Sequence, residues 1–294
     1  MEIQRAAVIG HPIGHTMSPF IHERLYALSG VPACYQALDV PDLAAALPAL
    51  RGLDCFNITI PHKNAILPFL DGVDPAAKEF GSVNTVRVRD GKLYGYTTDG
   101  PGCRKALQGC GLSLAGPLLI LGNGGAARAI AFEAARAQRD FHITIAHRPG
   151  AYDKAMALAE ELAAFARRRG DRGFLVTITS YEELELDRET RFSLLLNATS
   201  VGMYPKTGES PVTEGVVRRC AAVFDAVYNP GRTQLLELAR ACGIKAVGGM
   251  AMLVYQAEAA HEIWYGAAFS PRDIADLCRD AEAELEKRFG GERP

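Results

Sequence analysis

An excess of charge is the first thing this sequence lacks. Its 32 Lys and Arg nearly balance 34 Asp and Glu, leaving a formal charge of −2 over 294 residues and a pI near 6.4. Such a balance gives no polyelectrolyte surface for nucleic acid or an anionic membrane, so neither is expected as a partner. No apolar run approaches ~20 residues, which argues against a membrane-spanning helix. Low-complexity tracts and short repeats are also missing. Seven cysteines are scattered without a CxxC pair. Their odd number argues against a disulfide scaffold, and each reads as a small apolar filler. No secretory leader is read at the start of the chain, so a reducing compartment and a cytoplasmic location are expected. What is present is a hydrophobic fraction of 48%, enough to build the core of one large or two medium domains.

Strand-like and helix-like segments alternate along the chain. Residues 6–9 (AAVI) read as a first strand, followed by the loop GHPIGHTMSP and a helix capped by Ser18 with Pro19 in its first turn. CYQAL and CFNITI read as further strands, and DLAAALPAL between them as a helix that Pro48 should end or kink. SVNTVRVRDGKLYGY alternates with period two around Asp90-Gly91, a hairpin signal. A helix from Pro101 leads out of this first α/β unit. Next come an apolar strand, a glycine turn, a long alanine-rich helix and the strand FHITIAHR. The rhythm continues through FLVTITS, FSLLLNATS, AAVFDAVY and KAVGG, and predicts a parallel sheet with helices on both faces. From about Met250 the chain reads as helical. The arginine-rich turn RRRGDRG at 167–173 is expected on the surface.

The best generic signal is LLILGNGGAARAI. Gly122, Gly124 and Ala127 satisfy G-x-G-x-x-G/A in the strand–turn–helix context that the motif needs. The first glycine allows the tight turn, the second lets backbone approach a pyrophosphate, and Ala127 lets helix and strand pack closely. Free N–H groups at the helix start favour phosphate. The plain alternative is a glycine turn with no ligand. NAD-selective sites usually end the next strand with an acid that binds the ribose hydroxyls. Here ITIAHRPG supplies His147 and Arg148 instead. A guanidinium at this place pairs with a 2′-phosphate, so NADP is the expected cofactor, with NAD left open. His147 reads either as a ribose or adenine neighbour or as an exposed loop histidine.

Four short segments place polar groups at strand ends: HTMSP, NITIPHK, SVNT and TTDG. One sheet can bring such ends together. Thr16 and Ser18 suit a carboxylate, Asn84 and Asp99 suit ring hydroxyls, and Lys63 with Asp99 offers a cation and an anion. Hydride transfer to a ketone leaves negative charge on oxygen, which an ammonium stabilises and protonates. Each residue also has a plainer reading. Lys63 can snorkel at the surface, Asp99 can cap a helix, Asn84 can tie a hairpin, and Thr16 and Ser18 can organise a loop. All of these holding together is the weaker account.

These residues resemble the shikimate dehydrogenase family, from Ile9 to about Gly266. GHPIGHTMSPFIH is similar to the family's substrate-carboxylate loop, usually HSxSP, with Thr16 in place of the first serine. NITIPHK matches its N-V/I-T-x-P-x-K motif. That resemblance implies a catalytic role for Lys63 and a substrate contact for Thr59. GSVNT and TTDGPG place the family asparagine on Asn84 and the catalytic aspartate on Asp99, with Thr97 where the family has asparagine. LGNGGAARA resembles the nucleotide loop, which implies cofactor contacts for Gly122, Asn123, Gly124, Gly125, Ala126 and Ala127. The usual Asn-Arg-Thr after the second strand is His147-Arg148-Pro149 here. NATSVGM borders the cofactor in the family, implying Thr199 and Met203. DAVYNPGRTQLL implies a substrate role for Tyr228, and GGMAMLVYQAEAAHEIWYG implies substrate contact at Gln256 and nicotinamide neighbours at Gly249 and Met252.

The resemblance further implies an organisation. Residues 1–103 form an α/β substrate-binding domain, 104–248 a Rossmann-like NADP domain, and 249–294 helices returning to the first domain. The two domains would close a cleft over the substrate. The implied activity is reversible NADPH-dependent reduction of 3-dehydroshikimate to shikimate, a step of aromatic amino acid and chorismate biosynthesis. The partner is then a small ring hydroxy acid, the protein is a monomer or homodimer, and no metal is needed. Within the class, quinate/shikimate or aminoshikimate dehydrogenation with NAD(P) stays open. A different class is a non-catalytic sensor of nucleotide or ring acid, which would have no need of the Lys63–Asp99 pair.

Overall fold

The computed structural model describes residues 3–290. The chain divides into two compact units. One runs through Gly102 and takes in Leu253–Glu284; the other holds Cys103–Met252 and the chain from Leu285.

The first unit opens with β1 (Gln4–Gly10), α1 (Ser18–Ser29) and β2 (Ala33–Asp39). Pro19 sits in the first turn of α1, where its missing N–H is harmless. Ser18 does not cap this helix as the sequence suggested. The N-cap is Met17, and Ser18 is already helical, one residue too far in for its hydroxyl to act as the cap. Next comes α2 (Leu43–Leu50), whose true cap is Asp42, accepting from Ala44 N at 2.9 Å and Ala45 N at 3.2 Å. Pro48 lies inside this helix, which ends two residues later.

After β3 (Cys55–Ile58) follow α3 (His62–Ala65), a 3₁₀ turn (Leu67–Phe69), β4 (Gly72–Val73) and α4 (Pro75–Phe80). The expected hairpin is β5 (Thr85–Arg89) with β6 (Lys92–Tyr96). Asp90 and Gly91 both have positive φ, 51° and 68°, as a type I′ turn requires. The strand order is β2-β1-β3-β5-β6-β4. This sheet is mixed, with β5 antiparallel to both β3 and β6. Alternation along β1 sends Ala7 and Ile9 to a core with Phe56 and Val86. It sends Ala6 and Val8 to another core with Tyr26, Tyr35, Cys55 and Trp264.

The helix α5 (Asp99–Gly109) begins two residues before the expected Pro101. The second sheet is built from β7 (Pro117–Leu121), β8 (His142–His147), β9 (Leu175–Ser180), β10 (Leu194–Asn197), β11 (Ala222–Asp225) and β12 (Lys245–Val247). Its order is β12-β11-β10-β7-β8-β9, parallel throughout. That is the doubly wound order of a Rossmann fold, with its switch point between β7 and β10. The intervening helices are α6 (Gly125–Ala137), α7 (Tyr152–Arg169), α8 (Tyr181–Leu186), α9 (Glu214–Val217) and α10 (Gln234–Ala241). The chain closes with α11 (Met250–Tyr265) and α12 (Pro271–Phe289). Leu118–Leu121 are fully buried, as a strand covered on both faces must be.

The turn at 167–173 corrects a surface expectation in part. Arg167, Arg168 and Arg172 are exposed, but Arg169 and Asp171 are not. Arg169 donates to Ala135 O and Gln138 O at 2.8 Å each, at the end of α6, and lies over the Phe165 ring. Its guanidinium is 2.7 Å from the fully buried Asp171 carboxylate. Among the described residues no helix is long and apolar enough to cross a membrane.

Candidate active site

Lys63 follows the end of β3 by a short turn and sits in the first turn of α3. Three contacts fix that turn. The buried His62 ring donates from Nε2 to Val40 O at 2.6 Å, Lys63 O accepts from Val83 N at 2.9 Å, and Asn64 Nδ2 donates to Gly81 O. The Lys63 ammonium then reaches Asp99 Oδ2 at 2.5 Å. The lysine side chain is 16% exposed and the aspartate 5%. An ion pair this shielded needs its remaining lone pairs filled. They are filled in part: Asp99 Oδ1 accepts from Asn84 Nδ2 at 2.8 Å, each oxygen keeps room for a further donor, and the carboxylate stands at the positive end of α5. Asp99 is therefore inside the first turn, with Gly102 N bonding Thr98 O, and does not serve as the cap. Its two oxygens divide between lysine and asparagine.

Asn84 is the junction of the group. Its Nδ2 also faces Thr98 Oγ1 at 2.8 Å and Gln256 Oε1 at 3.0 Å, while its Oδ1 accepts from Thr98 N at 2.7 Å. Gln256 is held by a bond from its Nε2 to Leu253 O at 3.2 Å. So Lys63, Asn84, Asp99 and Gln256 form one connected cluster within the first unit. Thr16 and Ser18 form a second group. Thr16 Oγ1 donates to Ser18 Oγ at 3.1 Å and accepts from Ser18 N at 3.2 Å. Thr59 continues β3, its N–H bonding Ile9 O at 2.9 Å, and is half-buried. Thr97, where asparagine was expected, is buried, and its hydroxyl has no hydrogen-bond partner among the described residues.

Two residues absent from the sequence reading support this cluster from below. Asn57, on β3, donates to Asn84 O at 3.3 Å and Thr85 Oγ1 at 3.1 Å, and accepts from Tyr35 O–H at 2.7 Å. Thr98 joins Asn84 to the start of α5. Both lie inside the motifs NITIPHK and TTDG, so their places in the sequence were the available signal.

In the second unit the glycine turn follows β7 and opens α6, with Gly124 as its N-cap. Gly122 has φ +104°, and a Cβ there would come within 3.0 Å of Thr199 Cγ2. Only glycine suits both constraints. A Cβ on Gly124 would meet nothing within 4 Å, so that backbone has open space beside it. Ala127 is fully buried at the helix–sheet contact, while Gly125 and Ala126 form the first turn. Asn123 Nδ2 donates to Ala151 O at 3.0 Å, which ties the loop to the start of α7. At the end of β8, His147 is buried, not an exposed loop residue. Its Nδ1 lies 3.2 Å from Arg148 O and its ring packs edge-on to Tyr152. Arg148 is exposed. An open helix start, a close-packed turn and an exposed guanidinium in place of an acid all fit a phosphorylated dinucleotide. Tyr228 and Thr199 are half-buried, Gly249 and Met252 are buried, and Met203 is 36% exposed, all in this second unit.

An ammonium–carboxylate pair among amides and hydroxyls in one unit, and a dinucleotide turn on a Rossmann-like sheet in the other, define a class. It is that of nicotinamide-dependent oxidoreductases. A sequence profile described as the shikimate dehydrogenase substrate binding domain matches residues 8–86. The shikimate dehydrogenase (NADP(+)) of Moorella thermoacetica is 39% identical over 271 residues, 88% of this chain and 87% of its own length. A crystal structure of shikimate 5-dehydrogenase from Thermus thermophilus in complex with NADP(H) and shikimate matches with TM-score 0.80 at 35% identity, covering 95% of this chain and 100% of that one. The Listeria monocytogenes enzyme in complex with shikimate and NAD gives 0.77 at 31% identity, covering 94% and 96%. The chain belongs to the shikimate dehydrogenase family.

Proposed function

We propose that this protein catalyses the reversible NADPH-dependent reduction of 3-dehydroshikimate to shikimate, with the first unit holding the ring acid and the second the cofactor. The carrying observation is the shielded contact between Lys63 Nζ and Asp99 Oδ2 at 2.5 Å, surrounded by amide and hydroxyl groups. NADPH, when bound, supplies the hydride to the carbonyl carbon. Lys63 stabilises the negative charge that develops on the carbonyl oxygen and delivers a proton to it. Asp99 orients the lysine through Oδ2 and accepts from a neighbouring ring hydroxyl. Asn84 and Gln256 bind ring hydroxyls, Tyr228 completes the substrate contacts, and Thr59 supports the ring. Thr16 has its proton engaged on Ser18, so the Ser18 O–H is the one left to donate to the ring carboxylate.

On the cofactor side, Gly122, Asn123, Gly124, Gly125, Ala126 and Ala127 cradle the pyrophosphate. His147 and Arg148 take the adenosine ribose end, with Arg148 on the 2′-phosphate. Thr199, Met203, Gly249 and Met252 border the nicotinamide. A cytoplasmic location goes with this reading. Sedimentation distinguishes the monomer from the homodimer.

The test is a matrix of shikimate, quinate and aminoshikimate, each assayed with NAD and NADP by the absorbance of reduced cofactor. The expected result is the highest kcat/KM for shikimate with NADP. A clear preference for quinate or aminoshikimate would overturn the substrate assignment, and no turnover in any arm would favour a sensor.

A further inference from the structure

The second unit holds a buried carboxylate that the chemistry above does not use. Asp225 ends β11 with no exposed surface. Three neutral donors fill its two oxygens: Asn197 Nδ2 at 2.9 Å and Val227 N at 3.0 Å on Oδ1, and the Thr233 hydroxyl at 2.6 Å on Oδ2. Burial still lifts its pKa to about 6, so keeping the charge there at neutral pH works against stability.

Those bonds have consequences at a distance. Asn197 and Asp225 are register partners at the ends of the adjacent parallel strands β10 and β11. An ionised carboxylate only accepts, so Asn197 must present Nδ2 to it. Its Oδ1 then faces the other way and accepts from Thr199 N at 3.1 Å and the Thr199 hydroxyl at 2.7 Å. Thr199 Oγ1 accepts in turn from Val201 N at 3.1 Å. This is the residue whose methyl closes against Gly122 in the nucleotide turn. On the other side, Val227 is fixed by its N–H, and its carbonyl accepts from Gly249 N at 3.3 Å. A Cβ on Gly249 would fall 2.3 Å from Ala226 O, so this contact admits only glycine.

We infer that Asp225 is a positioning residue for the cofactor: it sets the Asn197 amide and the Val227 backbone, and through them the loop of Thr199, the turn before Tyr228, and Gly249. The inference rests on the reading of the second unit as the NADP site. It assigns Asp225 no contact with the reacting atoms.

NADPH dissociation constants, followed by the fluorescence of the bound reduced cofactor, are measured beside KM for shikimate at saturating NADP and beside Tm. Asp225→Ala and Asn197→Ala should each raise the NADPH dissociation constant by about 10-fold or more, and in Asn197→Ala, which keeps the Val227 bond to Asp225, KM for shikimate should move less than about 2-fold. Asp225→Asn keeps one oxygen for Asn197 and Val227, and its amide can donate to the Thr233 hydroxyl, so it should recover NADPH affinity to within about 3-fold of wild type. Thr233→Val removes both the cap of α10, whose hydroxyl accepts from Leu236 N at 3.3 Å, and the donor to Asp225 Oδ2, while leaving the Asn197 and Val227 bonds on Oδ1. It should lower Tm by roughly 5–10 °C, with NADPH affinity kept. Unchanged NADPH affinity in Asn197→Ala overturns the inference, even where Asp225→Ala fails to fold. So does a loss in Thr233→Val as large as theirs, since the effect would then be one of general stability. Wild-type protein that binds no NADPH removes the site reading itself, and the inference with it.

Discussion

Lys63 stands where it does because of its neighbours. The His62 ring on Val40 O and the Lys63 carbonyl on Val83 N hold the turn, and Asp99 receives the side chain. Replacing Lys63 with Ala should therefore remove the charge without disturbing the turn. Turnover is expected to fall by about 10²–10⁴-fold with NADPH affinity unchanged; a variant with wild-type kcat would strip the lysine of its role. Arg148 is argued the same way for selectivity. Arg148→Ala should weaken NADP by about 10-fold or more and NAD by less than about 2-fold. Equal losses for the two cofactors would show that the guanidinium does not read the 2′-phosphate. Thr97 offers a test of opposite sign. Its buried hydroxyl has no partner among the described residues, and valine has the same shape without the polar atom. Thr97→Val should raise stability by about 1 kcal/mol, a Tm increase of roughly 2–4 °C; a lower Tm would mean that the hydroxyl is bonded. Residues such as Lys63, Asn84 and Asp99 were readable because each stands in a short motif that carries its own chemistry. Asp225 was not, because its partnership with Asn197 exists only through the register of two strands 28 residues apart.

Elements whose signal is local and complete were also readable. Asp90-Gly91 dictates its hairpin, and the glycine turn after PLLIL dictates a strand–helix junction. Ser18 misled because a hydroxyl before a helical run marks a cap only if the backbone there is extended. Met17 holds φ −90° and ψ −2°, so the helix had already begun at Ser18. The helix α8 was missed although its signature is present. Ser180 and Glu183 form a capping box, with Ser180 Oγ accepting from Glu183 N at 3.1 Å and Glu183 Oε2 accepting from Ser180 N at 2.8 Å. Six residues are too few to show helical periodicity, so the cap is most of what defines the element. The bond from Ser180 N holds the Glu183 carboxyl below the usual range. Ser180→Ala should destabilise the protein by about 1 kcal/mol. Glu183→Ala added to it should cost little more, because the two bonds are reciprocal. Additive losses in Tm would show that the box does not act as a unit. The mixed character of the first sheet was less legible than the parallel character of the second. Alternation in β5 and β6 fixes the hairpin but does not say whether β5 runs with or against β3.

At the scale of the whole molecule, stability against pH is set by groups far from the chemistry. In the first unit His22 and His261 are both buried, with His22 Nδ1 and His261 Nε2 3.1 Å apart. Two neutral imidazoles can share one proton at that contact, and neither remaining ring nitrogen has a partner among the described residues. Burial drives the pKa of His22 well below its ordinary value, with His261 adding to the shift, and brings that of His261 to about 3. The surrounding Tyr26, Tyr35, Cys55 and Tyr265 are all pushed upward by burial and stay neutral in acid. An unfolded histidine takes up its proton near pH 6.5 and these two do not, so the unfolded state binds more protons below that pH. The stability of the neutral pair is thus fully present above about pH 6.5 and is lost as pH falls toward the folded values, at up to about 1.4 kcal/mol per pH unit for each histidine. Asp225 in the second unit has the opposite sign. Its pKa is raised to about 6, so its charge weighs on the folded state above that pH and is relieved below it. The chain has one tryptophan, which reports on the surroundings of the histidine pair. Trp264 lies in the first unit, with its ring centroid 5.5 Å from that of His22 and 5.7 Å from that of His261. Urea unfolding followed by Trp264 fluorescence should show a midpoint that falls as pH drops below about 6.5 towards pH 5. The double variant His22→Gln, His261→Gln cannot titrate and should lose that slope, whatever its absolute stability. A double variant that keeps the wild-type slope would mean that the buried histidine pair does not set it.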